Sequence, residues 1–314
     1  MKQPDLYEGL LDALYAIFGR HAGFRVTHAK GIVAHGSFTA SPAAARLSRA
    51  AHLQGARVPL TLRFSNFSGV PSTADGDPDA GPQGLALRFL LDDGRHTDIV
   101  AHSYDGFPVA TPEQFLGFLQ GLAGAGGERP DPLPLDAFLA RHPRAKRYLE
   151  APKPAPASYL AQEYFGVNTV RLLDAAGAAV HGRYRIEPLE APTAPPPAAL
   201  PGTDFLGAEL GERLRRAPAR LRLVLQCAAP GDELDDGSLA WPRSGPDARP
   251  EIELGILSVE TVEADGQVQA ARQQALAFNP GQLIDGIEAS GDPMLAARAE
   301  LYRRAALRRR PVQA

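Results

Sequence analysis

The sequence predicts an α+β protein in which an antiparallel sheet or barrel carries helices packed outside it. Three observations support this. Residues 58–67 alternate, with Leu60, Leu62 and Phe64 on one face and Thr61, Arg63 and Ser65 on the other, the period-2 mark of a half-buried strand. Residues 85–91 and 97–102 read as strands joined through Asp92-Asp93-Gly94, and residues 164–173 and 179–186 repeat that hairpin pattern around Asp174 to Gly177. No Gly-x-Gly-x-x-Gly joins a strand to a helix, which argues against a dinucleotide-binding parallel sheet.

The remaining elements follow in order. Within an N-terminal amphipathic segment, 1–20, the residues Tyr7, Leu10, Leu11, Leu14, Ile17 and Phe18 recur at helical spacing, with Asp5, Glu8 and Asp12 turned away. Residues 47–54 are in helical register. Thr111-Pro112-Glu113-Gln114 is an N-cap, a proline at the first helical position and a glutamine at the third, so a helix over 111–122 holds Phe115 and Phe118. A second helix is expected over 135–149 and an extended linker over 152–156. Six prolines mark 187–202 as a surface connection. Beyond it the pattern predicts a helix over 203–217, strands over 221–227 and 251–260, a final strand over 273–278, and a closing helix over 293–310. Asp292 caps that helix, Pro293 opens it and Pro311 ends it.

Composition excludes several function classes. With 33 Lys and Arg against 36 Asp and Glu, the net charge is −3, so no overall basic field draws a nucleic acid or an anionic membrane. Cys227 is the one cysteine and lies in an apolar run, which rules out an intrachain disulfide and fits core filling better than a thiolate ligand. Acidic residues interrupt the N-terminus where a secretory signal would need an apolar core, and no stretch reaches the roughly 18 apolar residues that span a bilayer. The expectation is a cytoplasmic protein.

Two segments carry candidate chemistry. In residues 25–36, His28 stands between small or β-branched residues and two glycines, so the backbone can pass close to something flat and bulky such as a haem. Histidine takes and returns a proton near neutrality; a lone histidine in an apolar segment is nonetheless more often structural. In the closing helix, Arg298 and Tyr302 are four apart and Arg309 is seven further on, all on one face. Tyrosine ligates ferric iron only as phenolate, which requires its pKa of about 10 to fall far, and a guanidinium one turn away assists. Spacing alone serves equally a tyrosine packed on the body beside an exposed arginine.

Taken together and in order, these pieces resemble a monofunctional haem catalase. The resemblance is stronger to the short catalase-related haem peroxidases, which keep the catalase core and lack its C-terminal helical domain. The carrying residues are Arg25-x-x-His28-Ala29-Lys30-Gly31, Leu62-Arg63-Phe64-Ser65, Asp98-Ile99-Val100 with Phe107 and Phe115, Tyr164-Phe165-Gly166 to Arg185, and Gly286-Ile287-Glu288-x-Ser290-x-Asp292 with Arg298-x-x-x-Tyr302. They span nearly the whole chain. The resemblance implies a haem catalase-like antiparallel β-barrel with flanking helices, one haem-binding domain over 1–314, and haem b with ferric iron. It implies His28 as distal acid/base, Ser65 orienting its ring, Tyr302 as iron ligand and Arg298 as partner of the phenolate. Arg25, Arg63 and Arg309 would bind the propionates, Phe107 and Phe115 would line the distal side, and Asp292 and Arg185 would support Arg298. Two positions depart from the family pattern. His102 stands where a catalase has a distal asparagine, and Thr27 precedes the distal histidine where valine is usual. A charged His102, or a Thr27 hydrogen-bonded to His28, would impair dismutation.

The function expected is therefore a haem peroxidase that reduces hydrogen peroxide or organic hydroperoxides through a ferryl intermediate. Its partners would be the peroxide and a small-molecule reductant, and a homo-oligomer is compatible with this reading. Catalase activity is the first alternative; rearrangement of a fatty-acid hydroperoxide and a non-enzymatic haem or lipid carrier follow.

Overall fold

The computed structural model describes residues 5–126, 130–190 and 203–309. Eight strands close into an antiparallel barrel: β1 (Gly31–Ala40), β2 (Arg57–Ser65), β3 (Gly84–Leu90), β4 (His96–His102), β5 (Tyr164–Phe165), β7 (Ala179–Pro188), β8 (Ala219–Cys227) and β9 (Glu251–Val262). The ring runs β1-β2-β3-β4-β5-β7-β8-β9 and returns to β1. Two short strands, β6 (Val170–Leu173) and β10 (Ile287–Ala289), extend it beside β7. Alternation fills the barrel: Leu60, Leu62 and Phe64 of β2 meet Leu85, Leu87 and Phe89 of β3 inside, with Phe38, Leu221, Leu223 and Leu257. Closure leaves no sheet edge among these strands to be covered.

Helices cover the outer wall. They are α1 (Leu6–Phe18), α2 (Pro42–Leu47), α3 (Pro112–Gly126), α4 (Leu133–Arg141), α5 (Pro143–Glu150), α6 (Leu206–Arg216), α7 (Gly266–Ala275) and α8 (Pro293–Arg309). Leu10, Leu11 and Leu14 of α1, Leu119 of α3 and Leu301 of α8 form an apolar cluster separate from the barrel interior. A third cluster joins Val109, Phe118 of α3, Leu135 and Phe138 of α4 and Met294 of α8.

Four sequence expectations need correction. The helix expected over 47–54 lies earlier, because Ser41 caps it by accepting from Ala44 N at 3.2 Å and Pro42 opens it; only a 3₁₀ turn forms at Ala51–Leu53. The helix expected over 135–149 is two, since Pro143 lacks an N–H and pushes His142 out of the helical region, to φ −125° and ψ 76°. The final strand expected over 273–278 is instead the end of α7 and the turn after it. Asp265 caps α7 by accepting from Gln267 N and Val268 N, and its Gln, Ala and Arg residues favour a helix. The Pro-rich connection begins after β7, which continues to Pro188, and its residues 191–202 lie outside the described residues. So do residues 1–4 of the N-terminal segment and residue 310 of the closing helix.

Candidate active site between the barrel wall and the closing helix

Register places the first half of the site. One row across the sheet pairs Gly31 with Ser65, Ser65 with Gly84, Gly84 with His102, and His102 with Phe165. Directly opposed residues of an antiparallel pair project to the same face, so Ser65 and His102 both point outward with only a glycine between them. A Cβ at Gly84 would stand 2.8 Å from His28 Cε1 and Nδ1 and from Ser65 Oγ. The gap at Gly84 is what the His28 ring occupies.

His28 reaches this position from the loop before β1 with φ at 55°, a left-handed conformation uncommon outside glycine. Backbone bonds hold it there: His28 N donates to Phe67 O at 2.7 Å and Ala29 N to Ser68 O at 2.9 Å. Its ring lies with Nδ1 3.1 Å from Ser65 Oγ, and the Phe67 ring meets it edge-on at 5.5 Å. Burial first, then the Arg63 cation and His102, push the His28 pKa down to about 3. His102 falls to about 3 through burial and Arg298, and its Nδ1 accepts from Tyr104 N at 3.4 Å. Both rings are thus neutral near pH 7, which removes the concern that His102 carries a charge. Thr27 forms no hydrogen bond to His28, so the feared displacement of the ring is absent as well.

The second half is built by helix periodicity. Asp292 caps α8, accepting from Met294 N at 2.8 Å, and its other oxygen accepts from Asn168 Nδ2 at 2.6 Å. Asn168 Oδ1 in turn accepts from Arg298 Nη1, and Arg298 Nη2 lies 3.5 Å from the Tyr302 hydroxyl. This Asp292–Asn168–Arg298–Tyr302 chain fixes the guanidinium against the phenol from behind. Burial raises the Asp292 carboxyl above its usual range, opposed mainly by Asn168. Arg185 is not part of this chain: it pairs with Glu187 and Glu251 across β7 and β9. Its register sets it opposite Phe165, itself opposite His102, but its guanidinium is spent on these carboxylates rather than on Arg298 or its partners. Asn168, which takes the supporting place, went unread in the sequence; a polar residue inside the apolar run 164–170 was the available signal.

Three arginines converge between the halves. Arg25 donates to the carbonyls of Gln273 and Leu276 at 3.0 and 2.8 Å, and Arg309 to Gln274 and Leu276 at 3.3 and 2.8 Å. Arg63 donates from Nε to Gln273 Oε1 at 3.1 Å and from Nη2 to His28 O at 2.8 Å. Burial, then Arg63 and Arg309, drive Arg25 well below its usual range, while burial brings Arg63 to about 10. Neither Arg25 nor Arg63 forms an ion pair with a carboxylate among the described residues; both spend their donors on neutral oxygens. Such a buried cluster calls for an anion. Phe107 and Phe115 pack together at 5.0 Å, both half-buried, on the side of α3.

A buried imidazole on the outer face of a β-barrel, within reach of the charge of Arg298 on a helix that carries Arg-x-x-x-Tyr, makes a candidate active site on the barrel's outer wall. Comparison with known proteins assigns it further. The catalase family matches residues 15–193. A catalase-related peroxidase of Mycolicibacterium paratuberculosis is 36% identical over 93% of this chain and 91% of its own length, and one of Synechococcus elongatus is 29% identical over 93% and 85%. This chain belongs to the catalase family. The fold agrees: a bacterial catalase superposes with a TM-score of 0.73 at 23% identity and a fungal catalase with 0.78 at 22%, the chain covering 61% and 62% of those structures. Catalase family proteins bind haem. The residues here fit that group, since a dicarboxylate at one porphyrin edge answers the carboxylate-free cluster of Arg25 and Arg63.

Proposed function

We propose that the protein is a haem-dependent peroxidase that holds haem b in one domain over residues 1–314. It reduces hydrogen peroxide or an organic hydroperoxide with electrons from an organic donor. The observation that carries this reading is the His28 ring, neutral and anchored at Nδ1 on Ser65, on the same barrel face as His102 and within electrostatic reach of Arg298 on the tyrosine-bearing helix. The names of the relatives from Mycolicibacterium paratuberculosis and Synechococcus elongatus point the same way.

Haem, when bound, supplies an iron that takes peroxide and exchanges electrons with it. The chain's own part is proton handling and charge placement. With Nδ1–H donating to Ser65 Oγ, His28 Nε2 has a free lone pair that takes the proton from one peroxide oxygen and returns it to the other, which leaves as water or alcohol. The His102 ring, accepting at Nδ1, keeps its proton on Nε2 and can donate it to a peroxide oxygen as a neutral group. Tyr302 would be the metal ligand, with Arg298 favouring the phenolate, and Arg25, Arg63 and Arg309 would hold the propionates. Phe107 and Phe115 would line the distal side.

Dismutation by a second peroxide is the alternative, favoured by the neutrality of His102. The test is to purify the protein with haem and compare oxygen evolution from peroxide with oxidation of a chromogenic phenol. His28→Ala should keep its pigment and lose peroxide turnover by about 10²–10⁴-fold, while Tyr302→Phe should lose haem or shift its absorption spectrum. Undiminished turnover in His28→Ala would overturn the assignment.

A further inference from the structure

A cleft of about 420 Å³ opens beside the segment that carries Phe107, within the range usual for small-molecule sites. Pro108, Val109 and Ala110 give it an apolar wall, and Arg141, Arg144 and Arg147 stand around it from the end of α4 and the first turns of α5. No carboxylate lines it among the described residues. Arg144 is engaged, donating to Asp236 Oδ2 at 2.8 Å and Ser238 Oγ at 3.3 Å. The other two keep donors free: Arg141 uses only Nε, on the carbonyl of Ala137 at 3.1 Å, and Arg147 makes no ion pair or side-chain hydrogen bond among the described residues. One chain of contacts leads from the cleft toward the site: Arg147 precedes Tyr148, whose ring meets that of Tyr104 edge-on at 5.0 Å, and Tyr104 N donates to His102 Nδ1.

We propose that this cleft docks an aromatic monocarboxylate, a phenolic acid, and that such anions are the donor class the enzyme oxidises; the second half rests on the peroxidase reading above. Size and the apolar wall admit a flat ring. The arginines select its charge: an ammonium would be repelled, and a neutral phenol would leave the guanidiniums unused. The chemistry balances. Two phenols each lose one electron and one proton to become phenoxyl radicals, and the two electrons and two protons together convert ROOH to ROH and water.

Equilibrium dialysis of the resting, haem-loaded protein against 4-hydroxybenzoate, 4-hydroxybenzamide and tyramine tests the cleft without turnover. The acid should bind about fivefold or more tighter than the amide, and the preference should shrink as salt rises from about 50 to about 500 mM. It should vanish in the double variant Arg141→Gln/Arg147→Gln, which changes two exposed side chains and leaves Arg144 on Asp236. Equal binding of acid and amide, or a preference that survives the double variant, overturns the proposal. Turnover of peroxide with each phenol is read in parallel. Acid-selective binding with no phenol oxidation overturns the donor assignment and the peroxidase reading together, leaving an anion site; phenol oxidation with no acid preference overturns the cleft and leaves the peroxidase reading standing.

Discussion

The two walls of the site are made by different means. On the barrel side, strand register alone aligns Ser65, Gly84 and His102, and the imidazole of His28 lies in a gap one side chain wide. On the helix side, Arg298 and Tyr302 share a face because they are one turn apart, but their setting depends on Asn168, which comes from the bend between β5 and β6, 130 residues earlier in the chain. The barrel wall tolerates no added atom, and the helix wall tolerates no missing partner. The first is a steric constraint, the second a hydrogen-bonding one.

Gly84→Ala tests the steric half and should have the largest effect. The new Cβ would meet ring atoms at 2.8 Å, and a side chain can swing away where a backbone cannot. The barrel should stay folded while the His28 ring moves off Ser65, lowering peroxide turnover by about 10²-fold or more with an unfolding change near 1 kcal/mol. Turnover within a factor of two of wild type would show that the ring is not held by that gap. Asn168→Leu tests the other half. It strands the Arg298 guanidinium and the Asp292 carboxylate in buried surroundings, at a cost of about 1–3 kcal/mol, and should alter the haem spectrum; Asn168→Gln should restore part of both losses. A spectrum unchanged in Asn168→Leu would disconnect the helix wall from its support.

The barrel interior gives the smallest and cleanest contrast, because its titrating group is remote from the chemistry. His52 is buried between Phe38 and Phe89, and burial alone lowers its pKa from 6.5 to about 4. An unfolded chain therefore takes up this proton between those two values while the folded protein refuses it, so stability falls as pH drops through that window. His52→Leu should shrink the stability difference between pH 7 and pH 4.5 by on the order of 2 kcal/mol, read by urea unfolding, with peroxide turnover unchanged. His28 and His102 stay neutral to lower pH still and should keep part of the acid sensitivity in that variant.

Much of this was legible in the residues. The alternation at 58–67 put Arg63 and Ser65 on one face, where the barrel has them, and the spacing of Arg298 and Tyr302 gave one face of α8. What failed was local competition between signals. The run 273–278 reads as a strand only if Asp265 is overlooked as a cap, and 135–149 reads as one helix only if Pro143 is allowed inside it. The family resemblance put Arg185 in support of Arg298, whereas its guanidinium pairs with Glu187 and Glu251.

By itself the sequence determined the elements, their apolar faces and the residue types at both ends of the site, since periodicity and capping act over a few neighbours. Only the tertiary structure decided that Asn168 bridges Asp292 and Arg298, that Gly84 leaves room for an imidazole, and that Arg25, Arg63 and Arg309 gather at the end of α7. Those contacts join segments up to hundreds of residues apart, and closing the barrel is what brings them within hydrogen-bond range.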